Sequence, residues 1–168
     1  TKQYRFTLKI GEARDSDDAD GAVIGTSDAR PTDDQIRAAL PAFIGDIMQQ
    51  PPMVSAVKVG GVPLYKLARQ GKEVERKARL IHIYNFRFTL YEEPYAFFRV
   101  ACTKGTYVRS IAHDLGQKLG CGAHLTTLRR AVSGKFDVAD ALPLDTILGL
   151  SQSELEKRVI PFLKLASG

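Results

Sequence analysis

The chain opens on an alternation. Tyr4, Phe6, Leu8 and Ile10 are apolar, with Arg5, Thr7 and Lys9 between them. That is the period of two expected of a strand buried on one face. Residues 11–21 form a loop that crowds Asp15, Asp17, Asp18 and Asp20 together, and residues 22–24 read as a short strand. Thr32 supplies a capping oxygen, and Asp33 and Asp34 place carboxylates at the positive end of a helix dipole. Ile36, Ala39, Leu40 and Phe43 then fall on one helical face. Pro51-Pro52 ends the extended stretch that follows, and residues 55–59 and a Gly60-Gly61 turn precede a short helix over 63–70 that stops at Gly71. Strong alternation over 79–90 and 95–103, separated by Tyr91-Glu92-Glu93-Pro94, predicts a hairpin. The clearest helix covers 106–119: Val108, Ile111, Ala112, Leu115 and Leu119 share a face, Thr106 is placed to cap it and Gly120 ends it. A strand over 124–132 and short helices over 144–150 and 154–159 complete the chain. The fold class is α+β, with a mixed, largely antiparallel sheet and flanking helices.

At 168 residues and 44% hydrophobic content the chain is long and apolar enough to bury a core. No apolar run approaches ~18 residues, so no membrane partner is expected. The start has neither Met nor a signal-type apolar stretch and enters a strand directly, as if cut from a longer protein. Two cysteines, Cys102 and Cys121, make no disulfide framework, which suits a reducing, cytoplasmic location.

Charge is unevenly spread. Residues 51–80 hold seven cations (Lys58, Lys66, Arg69, Lys72, Arg76, Lys77 and Arg79) against Glu73 and Glu75, an excess equal to the net +5 of the whole chain. A focused basic segment attracts polyanions by releasing counterions; a plain solvated surface is the other reading.

Four groups of residues could carry chemistry. The acidic loop lacks the glutamate and glycine placement of a calcium loop, so its aspartates serve turns and caps, or contact a basic partner or ligand hydroxyl. Cys102, Cys121, His82, His113 and His124 show no short metal-ligand spacing, so no metal is expected; Cys102 reads as a small buried strand residue and His113 as solvated. Lys104-Gly105-Thr106-Tyr107-Val108-Arg109 sits at a strand-to-helix junction suited to an anionic group. Arg109 adjoins the apolar Val108, and a partly buried guanidinium demands a carboxylate or phosphate. Finally, the segment 50–71 mixes Lys58, Lys66 and Arg69 with hydroxyls, glycines and Tyr65, a composition suited to single-stranded or looped RNA.

These stretches, taken in order, resemble the TruB family of tRNA pseudouridine-55 synthases: Tyr4 behind Lys2, the loop around Asp15-Ser16-Asp17-Asp18-Ala19-Asp20-Gly21, residues 50–71, CTKGTYVRSIAHDLG over 102–116 and GCGAHLTTLRR over 120–130. The resemblance runs from Thr1 to about Phe136. It implies an isomerase that everts one T-loop uridine of tRNA, breaks its glycosidic bond and rejoins C1′ to C5, with no cofactor. It implies that Tyr4 packs on the base, Arg109 pairs with a catalytic aspartate and Leu128 walls the uracil pocket. Asp18, Lys58, Tyr65, Arg69, Lys104, Tyr107, His124, Arg129 and Arg130 become the expected RNA contacts, and residues 52–80 a thumb that closes on the T-stem-loop. The full-length protein is expected to be a monomer.

One departure matters. The family's Gly-x-Leu-Asp-Pro-x-Ala-x-Gly motif, which carries the nucleophilic aspartate, does not occur, and none of the loop aspartates stands in that context. The expectation is therefore a partial pseudouridine synthase catalytic domain over 1–168, without a C-terminal RNA-binding domain and inactive alone. A non-catalytic T-loop-binding module is the alternative. A guide-RNA-dependent relative fits less well, because the thumb is uninterrupted.

Overall fold

The computed structural model describes residues 1–68, 70–71 and 74–161. In chain order the elements are β1 (Lys2–Ile10), β2 (Glu12–Arg14), β3 (Val23–Thr26), α1 (Asp33–Ala39), a 3-10 turn (Leu40–Phe43), β4 (Gly45–Gln49), β5 (Lys58–Val59), β6 (Val62–Pro63), α2 (Leu64–Ala68), β7 (Arg79–Glu92), β8 (Tyr95–Cys102), α3 (Val108–Lys118), β9 (Ala123–Ser133), β10 (Phe136–Asp137), a 3-10 turn (Val138–Asp140), α4 (Leu144–Leu148) and α5 (Gln152–Arg158).

Six of the strands form one sheet in the order β10-β9-β1-β8-β7-β4. β1 runs antiparallel to both β8 and β9, and β7 antiparallel to both β8 and β4. The observed fold is thus the expected α+β arrangement. The β7–β8 hairpin turns where the sequence places it, and α1 begins at Thr32, whose side chain accepts from Gln35 N–H while the Gln35 side chain accepts from Thr32 N–H.

The chain divides into two compact units, Thr1–Phe136 and Asp137–Gly168. In the first, one face of the sheet carries the core. Phe6, Leu8 and Ile10 of β1 meet Phe86, Phe98 and Val100 from β7 and β8, with Ile36 and Phe43 from the α1 region and Val108, Ile111 and Leu115 from α3. Phe6 and Phe98 stack with centroids 5.4 Å apart, and Phe86 lies tilted 5.5 Å from Phe98. Cys102 and Cys121 are free, buried thiols, and burial pushes both pKa values up. The second unit holds α4 and α5; α5 opens on a capping box between Ser151 and Glu154.

Helix α3 starts differently from the expectation. Thr106 does not cap it. Its hydroxyl donates back to the Thr103 carbonyl at 3.0 Å, and Tyr107 is the N-cap residue without a capping side-chain bond of its own. The cap comes from another strand. Gln49, 3% exposed at the end of β4, accepts from Tyr107 N–H at 2.8 Å and donates to the Tyr107 carbonyl at 3.0 Å. Ser110 adds a bond to the Gln50 carbonyl at 2.9 Å. Two links from one extended segment thereby set where the first turn of α3 points.

Candidate functional site

That first turn presents Arg109. Its side chain is 21% exposed; Nη1 donates to Asp18 Oδ2 at 3.0 Å and Nη2 to the Val54 carbonyl at 2.6 Å. Asp18 is delivered by the loop between β2 and β3, which is held from several sides. Arg14 donates from Nη1 to the carbonyls of Ala19 and Gly21, Asp15 accepts from Ala22 N–H at 2.9 Å, and Ser16 donates to Asp18 Oδ1 at 2.7 Å. Asp17, at a φ of 60°, offers its carbonyl to Leu125 N–H at 2.9 Å, which fastens the loop to β9. At Gly21 a Cβ would lie 2.8 Å from the backbone Ser16 N as well as against the Ser16 and Asp15 side chains, so any larger residue would force the loop to shift.

The loop, α3 and β9 enclose an open recess of about 280 Å³ lined by Asp18, Asp20, Arg109, Leu125 and Leu128. Leu128 lies opposite Phe6 on β1, so it occupies the core-facing side of the sheet, and its 50% exposure makes it an apolar wall open to solvent. Tyr4, two residues before Phe6, shares that side and packs against the core edge, paired in register with Arg130. It borders the same face but does not line the recess.

A second cavity, of about 270 Å³, lies between the acidic loop, α3 and the start of the 52–80 segment, with Asp17, Arg76, Ser110 and His113 on its walls. His113 is not simply solvated. Its Nδ1 lies 2.9 Å from Asp17 Oδ1, and that hydrogen bond raises the imidazole pKa above its usual value, against a weaker, opposite effect of burial. Arg76 donates to the Pro51 carbonyl at 3.0 Å, which ties the far end of the segment back to its beginning. Within the segment, Leu64 is fully buried, Leu64 N–H donates to the Val57 carbonyl and Tyr65 N–H to the Ser55 carbonyl.

The structure unites some of the expected residues and separates others. Arg109, Asp18 and Leu128 converge on the recess. Lys58 and Lys104 are exposed and Tyr65 and Tyr107 half-buried; Arg69 lies outside the described residues. Arg129 and Arg130, adjacent in the chain, point to opposite sides: Arg130 shares the Tyr4 side and Arg129 the Arg5 side. His124 departs from its expected RNA contact. It is 2% exposed, and Nδ1 donates to the Glu12 carbonyl at 2.9 Å, a locking role inside the core. Sequence reading missed Gln49, although a glutamine in the inward slot of a strand was a signal, because a buried amide must find partners. The Val54 carbonyl carried no such signal.

Fold and recess together define a class: an α+β sheet protein with a charged, ligand-sized recess beside a basic arm. The sequence profile of the TruB family pseudouridylate synthase N-terminal domain matches residues 1–108, and that of the tRNA pseudouridylate synthase B C-terminal domain matches residues 109–164. The chain belongs to the TruB family of pseudouridylate synthases. It is 55% identical over 166 residues to tRNA pseudouridine synthase B of Opitutus terrae, covering 98% of this chain and 69% of that protein. It is 47% identical over 162 residues to the protein of the same name from Dinoroseobacter shibae and 44% over 164 residues to that from Haemophilus influenzae strain PittEE, covering 95% of this chain in each case. It spans 53% and 54% of those two proteins, about half their length. Among solved structures, a Cbf5-Nop10-Gar1 complex contains a chain that matches with a TM-score of 0.66 at 26% identity, over 95% of this chain and 38% of that one. An H/ACA RNP bound to a substrate RNA containing 2′-deoxyuridine matches with a TM-score of 0.61 at 21% identity, over 96% of this chain and 37% of that one, a likeness of fold.

Proposed function

We propose that this chain is the RNA-facing part of the catalytic domain of a tRNA pseudouridine synthase acting on the T-loop uridine at position 55. The reaction is an isomerisation. The bond from C1′ to N1 breaks, the uracil turns, C1′ bonds to C5, and the C5 proton is lost as N1 gains one. Atoms and charge balance without a co-reactant.

In this reading the recess receives the everted uracil. Leu128 supplies an apolar wall, Tyr4 packs from the neighbouring strand, and Arg109 orients a carboxylate. Lys58, Tyr65, Lys104, Tyr107 and Arg130 meet the T-arm backbone, with the 52–80 segment closing as a thumb. His124 supports β2 from inside and makes no RNA contact. The nucleophilic aspartate is none of the loop aspartates, so the chain alone binds RNA without turning it over. The observation that carries the reading is the largely buried Arg109 guanidinium, held to Asp18 at the mouth of a recess walled by Leu128.

The test is fluorescence anisotropy with a labelled T-arm hairpin and the same stem bearing a scrambled loop. The 168-residue chain should prefer the T-loop, and Arg109→Ala should abolish that preference while leaving binding to the stem. Equal affinity for both loops would overturn the reading, and pseudouridine formed by the chain alone would overturn the assignment of the nucleophile.

A further inference from the structure

The face of the sheet turned away from α3 carries a feature the recess does not use. Arg129 of β9 lies directly opposite Arg5 of β1, Arg5 opposite Arg99 of β8, and Arg99 opposite Arg87 of β7. Four arginines thus stand in one unbroken row across four adjacent strands, and all four are exposed. Neighbouring strands lie ~4.8 Å apart, so the row is roughly 15 Å long.

Directly opposed like charges destabilise a sheet, and nothing among the described residues relieves this row. None of the four pairs with a carboxylate there, and their single polar partner is Asn85, whose Oδ1 accepts from Arg87 Nε at 3.0 Å. The flanking rows hold no acid either: Gln3, Ala101 and Asn85 lie on one side and Thr7, Phe97 and Leu90 on the other. Four uncompensated cations at strand spacing match a run of anions at similar spacing, and guanidinium forks bind phosphate oxygens in pairs.

We propose that this face is a second phosphate-binding surface, on which the backbone of an RNA duplex lies along the row from Arg129 to Arg87. Since Leu128 and Arg129 are consecutive on β9, one strand presents the recess on one side and the row on the other. The surface is distinct from the recess and does not depend on the function proposed for it. An acidic polypeptide is the rival occupant. Duplex RNA is favoured because the row is made of arginine throughout and repeats at regular strand spacing, and each guanidinium fork can take a pair of phosphate oxygens.

The test uses the 168-residue chain and a labelled, blunt-ended RNA duplex with no loop, titrated over a range of KCl concentrations. Arg87 and Arg99 lie on β7 and β8, on the opposite face from the recess, and do not line it, so the double substitution Arg87→Gln/Arg99→Gln probes the row alone. It should lower the slope of log Kd against log salt by about 1.8, at ~0.9 for each phosphate no longer neutralised. Affinity at 0.1 M salt should fall at least tenfold. Arg87→Lys/Arg99→Lys should keep most of the slope, and the glutamine variant should melt at or above the parent temperature because repulsion is relieved. An unchanged slope in the folded glutamine variant would overturn the proposal. So would poly-L-glutamate competing as well as duplex RNA of equal charge, which would assign the face to an acidic protein. Failure of the recess reading would appear elsewhere, as indifference of hairpin binding to Arg109→Ala while duplex binding still responds to Arg87 and Arg99.

Discussion

Arg109 Nη1 and Asp18 Oδ2 lie 3.0 Å apart across 91 positions of sequence, and this contact joins the acidic loop to the first turn of α3. The second arm of the same guanidinium holds the Val54 carbonyl, so one side chain connects the loop, the helix and the beginning of the basic segment. Both partners are about three-quarters buried, so the pair is screened less than a surface ion pair and is backed by charge-assisted hydrogen bonds.

Asp18→Asn removes the charge and keeps the shape. Arg109 then retains only a carbonyl for a partly desolvated cation, and urea unfolding should register a loss of about 1–2 kcal/mol. A double-mutant cycle with Arg109→Gln should return a coupling of at least ~0.5 kcal/mol. Strict additivity of the two substitutions would mean that the contact contributes nothing.

Gln49 positions Arg109 without touching the recess. Gln49→Leu preserves bulk but leaves the Tyr107 N–H without its partner and the Tyr107 carbonyl with only the Ile111 N–H at 3.3 Å, at a cost of about 1–3 kcal/mol. The T-loop preference of the chain should weaken as the first turn of α3 loosens. Gln49→Glu, of nearly the same size, keeps the acceptor for Tyr107 N–H but sets a carboxylate against the Tyr107 carbonyl, so it should not restore stability. Full stability of either variant in thermal unfolding would show that α3 starts correctly without this clamp.

Much of this architecture was legible in the sequence, because local chemistry and tertiary structure agree there. The alternation in β1, the Thr32 cap, the β7–β8 hairpin and the face of α3 are each written in adjacent residues. The need of Arg109 for an anion was also legible, since burial of a guanidinium has few solutions. Which anion was not, because contacts across 91 positions leave no local pattern. The same limit hid the partner of Gln49, at the start of α3, and the pairing of His113 with Asp17. The arginine row is the plainest case: Arg5, Arg87, Arg99 and Arg129 look like unrelated surface residues until strand register lines them up.

Gly116 is fixed by close approach. It lies in α3 where the helix meets β9, and its carbonyl accepts from Gly122 N–H at 3.0 Å. A Cβ there would stand 2.2 Å from Ala123 N and 2.6 Å from Gly122 C, both backbone atoms that cannot rotate aside. Alanine favours helix formation, so propensity alone would make Gly116→Ala stabilising by about 1 kcal/mol. Overpacking against backbone costs about 1–3 kcal/mol and should outweigh that gain, for a net loss of up to about 2 kcal/mol. A rise in melting temperature would show that α3 can move off β9 freely.

His113 makes one component of stability depend on pH. The Asp17 hydrogen bond raises its folded pKa; burial opposes this, while the charges of Asp17 and Asp114 add to the rise and Arg76 subtracts from it. A raised folded pKa means that the folded chain holds the proton more tightly than the unfolded one. The resulting stability is complete below the unfolded value, ~6.5, and disappears as pH rises through the folded value. With a side chain 44% exposed the effect is modest. The melting temperatures of the parent and of His113→Gln should therefore differ most near pH 5.5 and converge above pH 8, with the parent the more stable at the acid end. Comparing the two proteins cancels groups that titrate alike in both. A gap that stays constant from pH 5.5 to 8.5 would mean that the contact holds equally well with neutral imidazole, and that charge on His113 contributes nothing to anchoring the acidic loop.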